Sequence, residues 1–221
     1  MAVIEILYQD DRLAVCVKPV GVLSTDEPGG MPALLREALG DPAAPVRTVH
    51  RLDRVVGGLM VLARTRRAAA ELGEQITARR FEKEYLAAVH GAPPEDAGRM
   101  RDLLLRDRSA RRTYVVDTPR EGAREAVLDY RTLGYARGLS LVRIRLVTGR
   151  THQIRVQFAS RGLPLAGERK YAGTPEEEGT PALWSFRLAF DHPRSGERMD
   201  FFLPPPEAWP WSLFDRGCFA E

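Results

Sequence analysis

The sequence predicts an α+β fold, a single domain built on a mixed, largely antiparallel β-sheet with few helices and a central basic cleft. Three observations lead there. Short apolar runs follow one another along most of the chain, separated by turn signals. Only a few stretches carry apolar residues at helical spacing. No repeat, low-complexity tract or Gly/Ser/Pro-rich linker divides the 221 residues, a length near the upper end of one domain.

The elements follow in order. Residues 3–8 and 13–18 read as two strands joined at Gln9-Asp10-Asp11, and Lys18-Pro19-Val20-Gly21 ends this hairpin with a turn. Pro32 suits the first turn of a helix over 32–39, whose apolar face is Leu34, Leu35, Ala38 and Leu39 before Gly40 stops it. Gly58 to Ala63 reads as a buried strand. Thr65 can cap the next helix, in which Ala69, Leu72 and Ile76 recur up to the basic end Arg79-Arg80. From Lys83 the pattern changes to strands: Lys83 to Gly91, then 99–105, 112–117 and 124–135. In Leu141 to Val147, Val142, Ile144 and Leu146 alternate with Arg143 and Arg145, so one face belongs to the core and the other can line the basic cleft. After Gly149, Thr151 can cap a helix that runs to Gly162. Strands near 184–191 and 198–203 flank a turn at 192–196, and the Pro-rich end packs as an extended tail.

With 44% hydrophobic residues the chain can bury a sizeable core. Two cysteines, Cys16 and Cys218, lie near opposite ends without a C-x-x-C pair, which fits a reducing cytoplasm rather than a disulfide-stapled secreted domain. The beginning of the chain has no leader pattern, and no apolar stretch reaches a membrane span, so a soluble protein is expected. The formal charge of +3 says little about partners, but its carriers say more. Apart from Lys18, Lys83 and Lys170, the positive residues are arginines, whose planar fork matches phosphate and stacks on bases. Arg99, Arg101, Arg106, Arg108, Arg111 and Arg112 stand against only Asp102 and Asp107, a local net charge of +4. Such a run is either a solvated face or a phosphate-contacting hairpin.

The segment His50-Arg51-Leu52-Asp53-Arg54 sets one carboxylate between arginines and frames it with Leu52, Val55, Val56 and Leu59. By itself it reads as a local salt-bridge cluster. In a dry pocket it also meets the requirement for an oxygen nucleophile that stays ionised at neutral pH. The four histidines, His50, His90, His152 and His192, are scattered and form no ligand set. The Gly-Gly pairs at 29–30 and 57–58 lack a phosphate-loop pattern, and no Ser or Cys sits in a nucleophile elbow.

His50-Arg51-Leu52-Asp53 followed by Gly58-Leu59 resembles the H-R-L-D-x-x-T-S-G-L motif of the RluA-type RNA pseudouridine synthases. Lys83-Glu84-Tyr85-Leu86-Ala87 is similar to that family's K-x-Y-x-A strand, and Thr148 to Val156 to its T-G-R-T-H-Q-I-R-V block. Pro164-Leu165-Ala166-Gly167 with Tyr171 adds a weaker fourth match, so the resemblance covers almost the whole chain.

The resemblance implies an isomerase, one catalytic domain over residues 1–221, with Asp53 as the catalytic aspartate. It implies Arg51 on the same loop holding the RNA, Tyr85 against the uracil ring, and Arg155 paired with Asp53. Arg150 belongs to the third block and, with Arg111 and Arg112, is a candidate RNA contact. The family's Thr-Ser pair is replaced by Val56-Gly57. The reaction breaks the N1–C1′ bond, turns the uracil and rejoins it through C5, so it implies no cofactor and no metal. A carboxylate suits the electron-poor sugar carbon, and apolar Leu52, Leu59 and Val61 suit the exclusion of water. The partner is a ribosomal or transfer RNA with a flipped or unpaired uridine, at a flipping cost of a few kcal/mol that stacking on Tyr85 offsets by roughly 1–3 kcal/mol. No protein partner, no membrane and no separate N-terminal RNA-binding module are expected, the first strand being expected from Val3. Two other readings remain. One is an inactive RNA-binding protein of the same fold, suggested by Val56-Gly57; the other is an acid–base hydrolase using Asp53 and Glu168.

Overall fold

A computed structural model describes residues 4–173 and 179–219. The expected start of the first strand at Val3 lies outside the described residues. In chain order the first elements are β1 (Glu5–Gln9), β2 (Leu13–Lys18), α1 (Met31–Ala38), β3 (Arg47–Thr48), β4 (Gly57–Ala63) and α2 (Arg66–Thr77). Next come β5 (Glu82–His90), β6 (Ala97–Asp107), β7 (Arg112–Val116), β8 (Arg124–Ala136), β9 (Leu139–Leu146) and α3 (Gln153–Ala159). The chain ends with β10 (Leu183–Asp191), β11 (Arg198–Phe202) and two short 3-10 turns, Trp211–Leu213 and Arg216–Phe219. The fold is α+β, with mixed and mainly antiparallel pairing. Among the described residues no helix is long and apolar enough to cross a membrane.

The chain forms two compact units, each made from two stretches of sequence: Met1–Lys83 with Trp184–Leu203, and Glu84–Leu183 with Pro204–Glu221. In the first unit β2 pairs antiparallel with β1 and with β4. β4 also pairs antiparallel with β3 and parallel with β10, which carries β11. All seven residues of β4 are buried because both of its faces are covered. Met60 and Leu62 pack into a cluster with Leu34 and Leu35 of α1, while Leu59, Val61 and Ala63 pack with Ala68 and Leu72 of α2. Thr65 caps α2 as expected, its hydroxyl accepting from the Ala68 amide at 3.0 Å.

In the second unit β5, β9, β8, β6 and β7 follow one another as antiparallel neighbours. Val156 of α3 packs on Leu104 of β6 and Ala126 of β8.

Three expectations need correction. Thr151 does not cap the third helix; His152 is the N-terminal flanking residue, held in the left-handed region at φ 56°, and the helix is only seven residues long. The competing contact comes from inside the helix, where Gln153 Oε1 accepts from the Arg150 amide at 3.0 Å and the Thr148 hydroxyl at 2.8 Å. The Pro-rich end over 203–211 does not stay extended to its last residue, because Trp211 is buried and opens a 3-10 turn. The arginine run is also less uncompensated than its local count suggests. Strand pairing brings Asp129 and Glu125 of β8 opposite it, where they bind Arg99 at 2.6 Å and Arg101 at 2.5 Å. Arg143 and Arg145 of β9 are likewise matched by Glu84 and Asp129.

Candidate active site

Asp53 lies half-buried on the loop between β3 and β4, with Leu52 buried before it and Arg51 and Arg54 exposed. This loop is clamped on both sides of Asp53. The Ser24 hydroxyl donates to Leu52 O at 2.8 Å and accepts from Leu52 N at 3.0 Å, so one side chain satisfies both backbone groups of a buried residue. Arg54 O accepts from the Gly21 amide at 2.8 Å and from Lys18 Nζ at 3.3 Å, and Arg54 Nε donates back to Gly21 O at 2.9 Å. Val56 N closes a turn onto Asp53 O at 2.9 Å.

Lys18 is fully buried at the end of β2, donating also to Pro19 O at 2.9 Å. Burial pulls its ammonium down to about 8, against the opposing pull of the Asp53 charge. His50 is buried with Nε2 accepting from the Val61 amide at 3.0 Å, and its ring lies 5.5 Å from Phe81. Burial, with the nearby Lys83 charge, holds it neutral, near 3. It is therefore a strut between the loop and β4 rather than a proton carrier at neutral pH.

The Val56-Gly57 departure has a packing cause. A Cβ at Gly57 would stand 2.6 Å from the Trp184 ring, so the indole fills the room that a serine side chain would take. Trp184 is fixed by its own Nε1–H bond to Leu203 O at 2.8 Å. Gly58, at φ 112°, lets β4 approach the Ser185 backbone, which a Cβ would meet at 2.4 Å.

The second unit holds the other expected residues. Tyr85 is buried in β5, opposite Ile144 of β9. Arg155, on α3, is buried and grips the fully buried Glu168 with two parallel bonds, Nε to Oε2 at 2.7 Å and Nη2 to Oε1 at 2.8 Å. Burial works against the Glu168 carboxylate, but Arg155 and the amides of Lys170 and Tyr171 outweigh it and hold its pKa below the ordinary value. Such a carboxyl is ionised and committed, unlike the raised one an acid–base hydrolase needs. Arg112 and Arg155 both lie over the ring of Tyr171, at 5.5 and 5.2 Å. Arg150 is exposed, with Nε on Glu125 O at 2.9 Å, and Arg111 is exposed at the hairpin end. No sequence signal marks Ser24 or Lys18 as braces. Glu168 and Tyr171 sit in the weaker fourth block, where a G-E-x-x-Y spacing was the available signal.

An α+β fold carrying an H-R-L-D loop, a K-x-Y-x-A strand and a T-G-R-T-H-Q-I-R-V block defines an RNA-modifying isomerase. Residues 12–160 match the RNA pseudouridylate synthase family, and the chain belongs to it. It is 34% identical to an uncharacterized RNA pseudouridine synthase, YlyB, of Bacillus subtilis, over 92% of this chain and 70% of the relative. It is also 34% identical to ribosomal large subunit pseudouridine synthase D of Pseudomonas aeruginosa, over 98% of this chain and 74% of the relative. Among solved structures, human RNA pseudouridylate synthase domain containing 4 has the same fold, with a TM-score of 0.78 at 24% identity over 94% of this chain and 91% of that one. The protein is an RNA pseudouridine synthase.

Proposed function

We propose that this enzyme isomerises uridine in ribosomal RNA, large-subunit RNA before transfer RNA, with Asp53 as its catalytic carboxylate and no metal or organic cofactor. The observation that carries the reading is the bracing of the Asp53 loop: Ser24 holds the residue before it, and Gly21 and Lys18 hold the residue after it. A carboxylate that must meet C1′ within a few tenths of an ångström benefits from such fixing before the substrate arrives. In the proposed reaction the N1–C1′ bond breaks, the uracil turns, C5 bonds to C1′, and the C5 proton leaves while N1 gains one. Leu52, Leu59 and Val61 exclude water, Arg51 holds the RNA, Tyr85 lies against the flipped base, and Arg155 supports the carboxylate. Arg111 and Arg150, both exposed, contact phosphates. Arg112 is a third candidate contact, its half-buried guanidinium also bonded to Lys170 O and lying over Tyr171. The name of the Pseudomonas relative supports large-subunit RNA as the first target to test. The reading treats residues 1–221 as one catalytic domain acting in the cytoplasm.

The test is in vitro transcribed 23S ribosomal RNA with the purified protein and a chelator, followed by chemical mapping of pseudouridine. New pseudouridine at defined sites is expected. A divalent-ion requirement that persists once RNA folding is controlled would overturn the cofactor-free claim. Conversion confined to transfer RNA transcripts would move the substrate.

A further inference from the structure

Tyr171 has no part in the proposed reaction, yet Arg112, His152 and Arg155 all meet at its side chain. Its ring carries two guanidinium groups, Arg155 at 5.2 Å and Arg112 at 5.5 Å. Its hydroxyl accepts from the Thr113 amide at 3.1 Å and is hydrogen-bonded to His152 Nδ1, whose ring meets it edge-on at 5.6 Å. Its own amide donates to Glu168 Oε1 at 3.2 Å, on the carboxylate that clamps Arg155. One residue therefore touches the start of β7 and the T-H-Q-I-R block through its side chain and the Glu168 carboxylate through its amide.

Two like charges against one ring repel, more strongly where water is thin. The quadrupole of the ring and the Glu168 carboxylate offset this. Arg112 is further committed through Nη2 to Lys170 O, while its buried Nε has no hydrogen-bond partner among the described residues. The hairpin end before it carries Arg106, Arg108 and Arg111, which meet no carboxylate among the described residues.

We propose that Tyr171 is a positioning residue that ties the Asp107–Arg112 hairpin end to Arg155, so that the hairpin's hold on RNA and the orientation of Arg155 are set together. The proposal rests on the reading above and deepens it. Its test has one arm independent of activity: the 15N NMR signal of the Arg155 Nε–H in RNA-free protein. Tyr171→Leu and Arg112→Ala are each expected to broaden or shift that signal, whereas Tyr171→Phe, which keeps the ring, retains most of it. On in vitro transcribed 23S RNA, Arg112→Ala should lower the single-turnover rate about tenfold and weaken RNA affinity about threefold. In the Tyr171→Leu background the same substitution should do nothing further. An Arg155 signal indifferent to both changes, or additive rate losses, would overturn the coupling. Should Tyr171→Leu not fold, Arg112→Ala and Tyr171→Phe still decide through the signal. A wild-type protein inactive on every RNA would instead count against the proposed function.

Discussion

Replacing Glu168 by glutamine would expose how the second unit holds Arg155. Both partners are buried, with side-chain exposures of 7% for Arg155 and 0% for Glu168, and the carboxylate accepts two guanidinium bonds and two backbone amides. The amide side chain keeps the shape but turns one acceptor into a donor aimed at donors, and it takes the Glu168 charge away from a buried guanidinium. Breaking such a pair from one side costs roughly 3–5 kcal/mol. The double replacement Arg155→Met with Glu168→Leu removes both charges and should recover part of that loss, the amides of Lys170 and Tyr171 still lacking this acceptor. Urea unfolding gives the free energies, with an unchanged slope showing that the unfolded state is not what moved. A loss below about 1 kcal/mol, or single losses that simply add, would refute the claim that this pair organises the turn.

Two other substitutions probe the Asp53 loop. Lys18 has its pKa lowered from 10.5 to about 8 by burial. Between those values the unfolded chain binds more protons than the folded one, so stability rises with pH across that window. Relative to Lys18→Met, the wild type should gain at most about 3 kcal/mol between pH 7 and pH 10.5, and a flat difference would mean the ammonium is not desolvated. Gly57→Ser, which restores the family residue, should cost about 1–3 kcal/mol through the clash with Trp184, measured as a lowered Tm. Combining it with Trp184→Leu should return part of the loss.

Much of the fold was legible because its signals are local. The alternation in β9, the Thr65 cap and the all-apolar β4 run each follow from neighbouring residues. The Asp53 loop was legible only through its motif, since nothing near it in sequence points to Ser24 or Lys18, 28 and 36 residues away from their hydrogen-bonded partners. The partners of the arginine run were out of reach for the same reason: Asp129 and Glu125 pair with two of its members across a strand pairing that a local count cannot see. The role of Val56-Gly57 also depended on a distant residue, Trp184.

The most direct test of the central claim is Asp53→Asn, which removes one charge and almost no volume from a half-buried loop residue. Single-turnover conversion of uridine to pseudouridine should be measured on an RNA that the wild type modifies, with RNA affinity and folding stability measured beside it. The expected result is conversion at least a thousandfold slower, on the order of 4 kcal/mol of lost transition-state stabilisation, with affinity changed only a few-fold. Conversion within tenfold of the wild-type rate, in a protein that folds and binds normally, would show that Asp53 is not the catalytic carboxylate.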